Sequence, residues 1–426
     1  MKQHHKSYDT LRIRFTYCYR VFLWLAVILS PPSLLAQGGN KTAAEYWETY
    51  HRTDDDSTQV KLLSQLVTAY IRINPDSALL LAETAYERAT TMGNEHLQAH
   101  AYVSLGKAYK RKRKVLDALS NFDQGLAIFQ EQKDEEGIHR VYLERASVYM
   151  ASGNPEAAIE DLNKHLTYTL QTDNDLKRAG TYHNLGKAYR QLNEPYQALE
   201  NYLLARNLKD SLANVGHPEM TSREQFSTYQ NLAAFYQELE QFNKARETLR
   251  QGLEFLPQEE TRTYIIGLYT LGGLEERDSN YVEAQQLYQQ CLEMAQASKN
   301  SVLLPYIYDG LGTVSRMQDQ REIASTYYQQ AFDMLGDMNN PPVLSNVLNN
   351  QARLLLDAGQ TRAAKEKAKV AYTTAKASGL QVQYIDGAKL LAEIYQTEGR
   401  YQEANFYWQE YIEASETKAT EGRKQE

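Results

Sequence analysis

Alanine returns at a fixed place along most of this chain, at Ala118, Ala158, Ala198, Ala245, Ala284, Ala324, Ala364 and Ala404. Each is the twentieth residue of a unit, the units beginning near Ala99, His139, Ala179, Phe226, Ile265, Pro305, Ser345 and Ile385. The spacing is 40 residues apart from one longer and one slightly shorter interval. The eighth residue is also always small: Gly106, Ala146, Gly186, Ala233, Gly272, Gly312, Ala352 and Ala392. Two small residues in phase mark the place where two helix backbones approach closely, because a larger side chain would hold them apart. Large residues fill the fourth and twenty-fourth positions in most units, as in Tyr102/Phe122, Tyr182/Tyr202 and Tyr308/Tyr328. A period of this length means stacked supersecondary units rather than one closed core.

The helical reading follows from what is scarce. With only 22 glycines and 10 prolines in 426 residues, long helices go uninterrupted. No alternating Val/Ile/Thr stretch bounded by Asn-Gly or Asp-Gly is present, so the chain is expected to be all-α. Asn154-Pro155 and Glu194-Pro195 suit the start of a second helix, where proline costs no hydrogen bond. The longest interval holds residues 209–223, read as a loop between repeats.

The segments YVSLGKAY (102–109), YHNLGKAY (182–189), YQNLAAFY (229–236) and YDGLGT (308–313) each precede an alanine that opens a second amphipathic segment. This pattern resembles the tetratricopeptide repeat, a helix–turn–helix unit that reads aromatic, Leu-Gly, Tyr, Ala, aromatic. The 40-residue period resembles the longer-helix branch seen in kinesin light chains and in bacterial peptide-sensing regulators. Departures are Arg145 and Gln351 for the usual leucine, and Glu275, Ser315 and Leu355 for the third aromatic. The resemblance implies a right-handed superhelical solenoid of eight to nine antiparallel helix pairs. It divides the chain into tandem repeats over 99–424, an N-terminal segment over 37–98 with an atypical first repeat near Leu62 to Ala89, and a polar C-terminal tail over 415–426.

Residues 1–36 carry Lys2, Lys6, Arg12, Arg14 and Arg20, then the apolar run Val21 to Leu29, then Ser33-Leu34-Leu35-Ala36. That order is expected of a secretory signal cleaved after Ala36, giving a periplasmic or secreted protein; the alternative is an uncleaved N-terminal anchor. No second apolar run of spanning length follows. The leader's five basic residues and one acid take the formal charge from −8 to −12 in the mature chain, which argues against nucleic acid as a partner. Cys291 is then the one cysteine left, and stability is expected from packing rather than disulfides.

No nucleophile elbow, phosphate loop or kinase signature is present, and the carboxylates are scattered, so no catalytic or cofactor residue is assigned. His96 and His100 are four apart on a helix and could face one metal, but no glutamate follows His96; a solvated helix face is the expectation, and no metal is assigned. The resemblance implies a concave groove lined by the first helix of each pair. Mapped residue by residue, the first three units place His100, Lys107, Lys110, Arg111, Arg140, His183, Lys187 and Arg190 there, whereas later units place Gln230, Gln237, Glu238, Glu276, Asp309, Asp357 and Glu393. Residues 99–190 hold 14 basic and 12 acidic side chains, a net +2 within a mature chain of −12, so a local positive patch is expected to attract an acidic peptide or a chain-terminal carboxylate. The last helix carries Phe406 and Trp408 with no capping helix beyond, which suggests a contact with a partner or a second copy. The expected function is a non-catalytic extracytoplasmic protein- or peptide-binding scaffold; the alternative is a sensory subunit serving a separate membrane kinase.

Overall fold

The period is set by the turns. In the computed structural model, which describes residues 42–218, 220–258, 261–336 and 340–423, most helices are 17 residues long and most are joined by turns of two or three. The residue at the fifteenth position of every repeat is left-handed: Arg113, Gly153, Asn193, Glu240, Ser279, Asp319, Gly359 and Gly399. The residue after each of these donates its backbone N–H back into the preceding helix, as Asn280 does to the Glu275 carbonyl at 2.9 Å. This is the Schellman closure, which satisfies carbonyls a helix end leaves bare. The chain reverses and the second helix starts at once, with Pro155 and Pro195 at first positions as expected. Asn74, Asn94 and Asn154 cap their helices by accepting the N–H of the third residue on.

The chain divides into two compact units after Asn174. Unit 1 holds α1 (Ala43–Arg52), α2 (Asp56–Tyr70), α3 (Pro75–Thr91), α4 (Glu95–Arg111), α5 (Val115–Gln132), α6 (Glu135–Ala151) and α7 (Pro155–Gln171). Unit 2 holds α8 (Asp175–Gln191), α9 (Pro195–Asn214), α10 (Ser222–Glu238), α11 (Phe242–Glu254), α12 (Thr261–Arg277), α13 (Tyr281–Ala297), α14 (Leu304–Met317), α15 (Arg321–Leu335), α16 (Pro341–Asp357), α17 (Thr361–Ala377), α18 (Gln381–Thr397) and α19 (Tyr401–Arg423). From α2 onward these are nine helix pairs among the described residues, the imperfect first repeat being α2 and α3. The described chain contains no strand, as the scarcity of breakers and alternating patterns implied.

The alanine at the twentieth position is buried in all eight repeats, at 3 % exposure for Ala404 and 0 % for the others. The wedge is more specific than the expected fourth-to-twenty-fourth pairing. Where the eighth residue is glycine, the twenty-fourth is an aromatic ring lying flat on it: Gly106 under Phe122, Gly186 under Tyr202, Gly272 under Tyr288 and Gly312 under Tyr328. A Cβ added to Gly312 would sit 2.5 Å from the Tyr328 ring. Where the eighth residue is alanine, the twenty-fourth is Leu162, Leu249, Ala368 or Trp408.

The loop expected over 209–223 is shorter than its sequence suggested. Helix α9 runs on to Asn214, twenty residues in all, because Lys209 and Leu212 extend its buried stripe against α10. At the other end, the polar stretch from Ser415 continues α19 to Arg423. The leader, residues 1–36, lies outside the described residues.

Candidate ligand-binding face

In unit 1 the first helices of successive pairs, α2, α4 and α6, lie side by side. Residues at the second, fifth and ninth positions of those helices share that face. A cavity of about 360 Å³ opens there, with Lys61, Ser64 and Thr68 of α2, His100 and Lys107 of α4, and Arg140 of α6 on its walls. Three of the residues expected from sequence, His100, Lys107 and Arg140, are thus brought together. Lys61 is the one the repeat register missed, since the register was anchored at Ala99 and the first repeat lacks its signature residues.

Most cations of this face are already paired between neighbouring repeats. Lys107 and Lys110 both reach Glu144 of α6, at 3.1 and 2.6 Å, and Lys110 also donates to the Ser147 hydroxyl at 2.9 Å. Burial opposes ionisation of Glu144, but the two lysines prevail and hold its carboxyl below the ordinary value. Arg111 is exposed at the end of α4 and does not line the cavity. Arg140 is different. Its Nη2 donates to His100 Nδ1 at 2.7 Å, its guanidinium lies over the Phe129 ring, and its Nε is buried with no acceptor. No carboxylate among the described residues pairs with it, so it is a half-buried cation facing a cavity without a counter-ion.

His100 contributes no positive charge. Burial, then Arg140 and His96, pushes His100 down to about 4. Since His100 Nδ1 accepts from Arg140, its proton sits on Nε2, which faces His96 Nε2 at 3.1 Å. His96 then carries its proton on Nδ1 and donates it to Gln132 Oε1 at 2.9 Å. His96, His100 and Asp134 can each present one ligand atom within 4.8 Å of the other two, the one such cluster among the described residues.

In unit 2, Arg190 is bound by both carboxylate oxygens of Glu238, one of them at 2.7 Å from Nε. His183 is driven down to about 3 by burial and by Lys209 and Lys187, so it too is neutral. Lys209 was not expected: it belongs to a second helix and is buried, its Nζ donating to the Glu224 carbonyl at 3.0 Å and the Thr228 hydroxyl at 2.8 Å. Lys187 is exposed. Further along, Arg316 pairs with Asp357 at 2.9 Å and Arg353 with Asp386, so repeat-to-repeat pairing continues through the acidic part of the face. Asp309 accepts from Asn350 at 2.9 Å, and desolvation pushes its carboxyl up to about 7.

Cys291 is fully buried, donates to the Ile265 carbonyl and is pushed up to about 12 by burial, which leaves an inert thiol. On α19, Phe406 is 51 % exposed, whereas Trp408 is half-buried with its ring edge-on to Tyr411. No helix among the described residues is long and apolar enough to cross a membrane.

The tetratricopeptide repeat family matches residues 137–211, 226–258 and 264–337. No curated protein matches the sequence. Among solved structures, the apo form of RapI superposes with a TM-score of 0.66 at 13 % identity, over 85 % of this chain and 98 % of that one. The apo quorum sensor NprR from B. thuringiensis gives 0.59 at 14 % identity, over 85 % and 100 %. A Rap protein complexed with competence and sporulation factor gives 0.54 at 14 % identity, over 87 % and 100 %. Identities this low speak for a shared helical-repeat fold alone.

Proposed function

Because the chain is a tetratricopeptide repeat protein, we propose that it is a non-catalytic scaffold whose first-helix face holds a peptide or protein segment, with an anionic group of that partner seated in the cavity of unit 1. Arg140 carries this reading. A guanidinium held in a partly dehydrated cavity without a carboxylate is costly, and an incoming carboxylate offsets the cost through a bidentate, charge-assisted contact. Lys61 and Lys107 on the same walls add attraction at longer range. A surface built before the ligand arrives also avoids much of the ordering cost of association. Complexation of a related fold with competence and sporulation factor agrees in kind with such use.

The location belongs to the same proposal. The basic, apolar, small-residue order of residues 1–36 supports export to the periplasm or beyond. Exposed Phe406 at the last helix supports a contact with a second copy or a partner. Sedimentation velocity over a range of concentrations checks this: self-association that disappears in Phe406→Glu supports it, and a strictly monomeric chain that gains no partner overturns it.

The deciding experiment is binding of fluorescent acidic and neutral peptide pools to the purified chain. Acidic peptides are expected to bind, with affinity falling about tenfold or more between low and high salt as surface charges are screened. Arg140→Glu and Lys61→Glu are expected to abolish or sharply weaken binding, whereas Arg111→Glu leaves it nearly unchanged. Equal binding by wild type and Arg140→Glu sinks the reading.

A further inference from the structure

We propose that His96, His100 and Asp134 form a transition-metal site whose occupation competes with the hydrogen bond from Arg140 to His100. The two histidines come from successive turns of α4, and Asp134 is the residue that caps α6. Their ring nitrogens Nε2 are 3.1 Å apart, close to the roughly 3.3 Å that two imidazoles span across a tetrahedral zinc with metal–nitrogen bonds near 2.05 Å. Asp134 uses Oδ1 to accept the Gly137 N–H at 3.0 Å, while Oδ2 lies 4.0 Å from His96 Nδ1, and one ligand atom from each of the three residues lies within 4.8 Å of the other two. One carboxylate oxygen is thus fixed by the helix cap and the other faces the imidazoles.

His96 is already arranged for coordination. Its Nδ1–H is held by Gln132 Oε1 at 2.9 Å, which leaves Nε2 with its lone pair outward, the second-sphere arrangement that zinc-binding histidines use. His100 is one proton transfer away. In the metal-free arrangement its Nε2–H donates to His96 Nε2, because Nδ1 accepts from Arg140 at 2.7 Å. A metal on Nε2 needs that proton on Nδ1, where it would meet the Arg140 N–H groups. The proton moves from one nitrogen of His100 to the other through solvent, the imidazole remains neutral, and Arg140 swings into the neighbouring cavity. The donor set, two imidazoles and one carboxylate, suits zinc, nickel or copper in preference to calcium or magnesium. The fourth position remains for water or a ligand group.

The test is titration of the full chain with Zn²⁺ in competition with a chromophoric chelator, and with Co²⁺ read by its visible ligand-field bands. Wild type is expected to bind one equivalent at this site in the micromolar range, over a background from the other histidines that the variants define. His96→Gln, at an exposed ring and therefore safe for folding, is expected to remove that equivalent, weakening it at least tenfold, and Asp134→Asn to weaken it several-fold. Arg140→Gln is expected to tighten it several-fold, because an amide oxygen accepts the new Nδ1–H instead of opposing it. A titration unchanged by His96→Gln overturns the site; tightening absent in Arg140→Gln overturns the competition. Neither outcome bears on the peptide experiment, which reads Arg140→Glu without metal.

Discussion

At the scale of the residue, the repeat is governed by a pairing of glycine with ring. Glycine inside a helix is disfavoured against alanine by about 1 kcal/mol, so Gly312 ought to improve when replaced. It does not have that freedom, because its would-be Cβ meets the buried ring of Tyr328 at 2.5 Å. Gly312→Ala is expected to destabilise by about 1–3 kcal/mol, the range for overpacking a core. Its penalty should largely vanish in the background Tyr328→Leu, which recreates the alanine–leucine pairing of Ala146 with Leu162; a double-mutant cycle in urea reads the coupling. The opposite holds at the turns. Ser279 and Asp319 sit at φ 62° and 58°, where a side chain costs about 1 kcal/mol or more relative to glycine. Ser279→Gly and Asp319→Gly should therefore each raise the denaturation midpoint, and a lowered midpoint in both would show that their side chains are needed there.

At the scale of the element, the departures from the repeat pattern compensate one another. Arg145, standing where leucine is usual, meets Asp161 of α7 with two hydrogen bonds at 2.9 and 2.8 Å. Gln351 is met in the same way by Lys367 of α17 at 2.8 Å. Glu275, at a lost aromatic position, is buried and braced by Arg246 and Arg250 of α11. Breaking such a pair from one side is costly because it strands a charge, whereas replacing both partners is not. Asp161→Asn is expected to cost about 2–3 kcal/mol, and Arg145→Leu with Asp161→Asn to restore stability to within about 1 kcal/mol. That double variant copies the neighbouring repeats, which carry Leu105 with Asn121 and Leu185 with Asn201. The helices, the period and the buried alanines were legible because they depend on residues within one unit, repeated in phase. Side-chain pairing between units was not, since the same lysine reads as a free groove charge or as a stitch to Glu144 according to what stands some forty residues on. Hence Lys107, Lys110 and Arg190, which the repeat register places on the face, are each also paired with a carboxylate of the next repeat, while Lys61 and Lys209 lie outside what the register predicts.

At the scale of the whole molecule, buried titratable groups of opposite sign shape stability against pH. His100 and His183 are lowered to about 4 and about 3, by burial first and by neighbouring cations second. The unfolded chain takes up protons at both near pH 6.5, where the folded chain does not, so stability is lost as pH falls below about 6.5. Asp309 acts in reverse. Desolvation raises it to about 7, so the folded chain keeps a proton that the unfolded chain has given up, and stability is lost as pH rises from about 4 towards 7. The two trends cross in mildly acidic solution, and each has its own variant. Asp309→Asn keeps the Asn350 contact in the uncharged form and is expected to stabilise the chain near pH 8, with the gain shrinking towards pH 4. His183→Asn is expected to flatten the decline below about pH 6 and to change little near pH 8. Urea midpoints of the three proteins at several pH values separate the two contributions, and parallel curves for all three would mean that neither group is held away from its ordinary titration. Peptide binding should behave differently from stability. With both histidines neutral and the cavity cations being Lys61, Lys107 and Arg140, affinity for an acidic peptide should stay level from about pH 8 to pH 6. A gain in affinity centred near pH 6.5 would return the histidines to the binding face as charged groups.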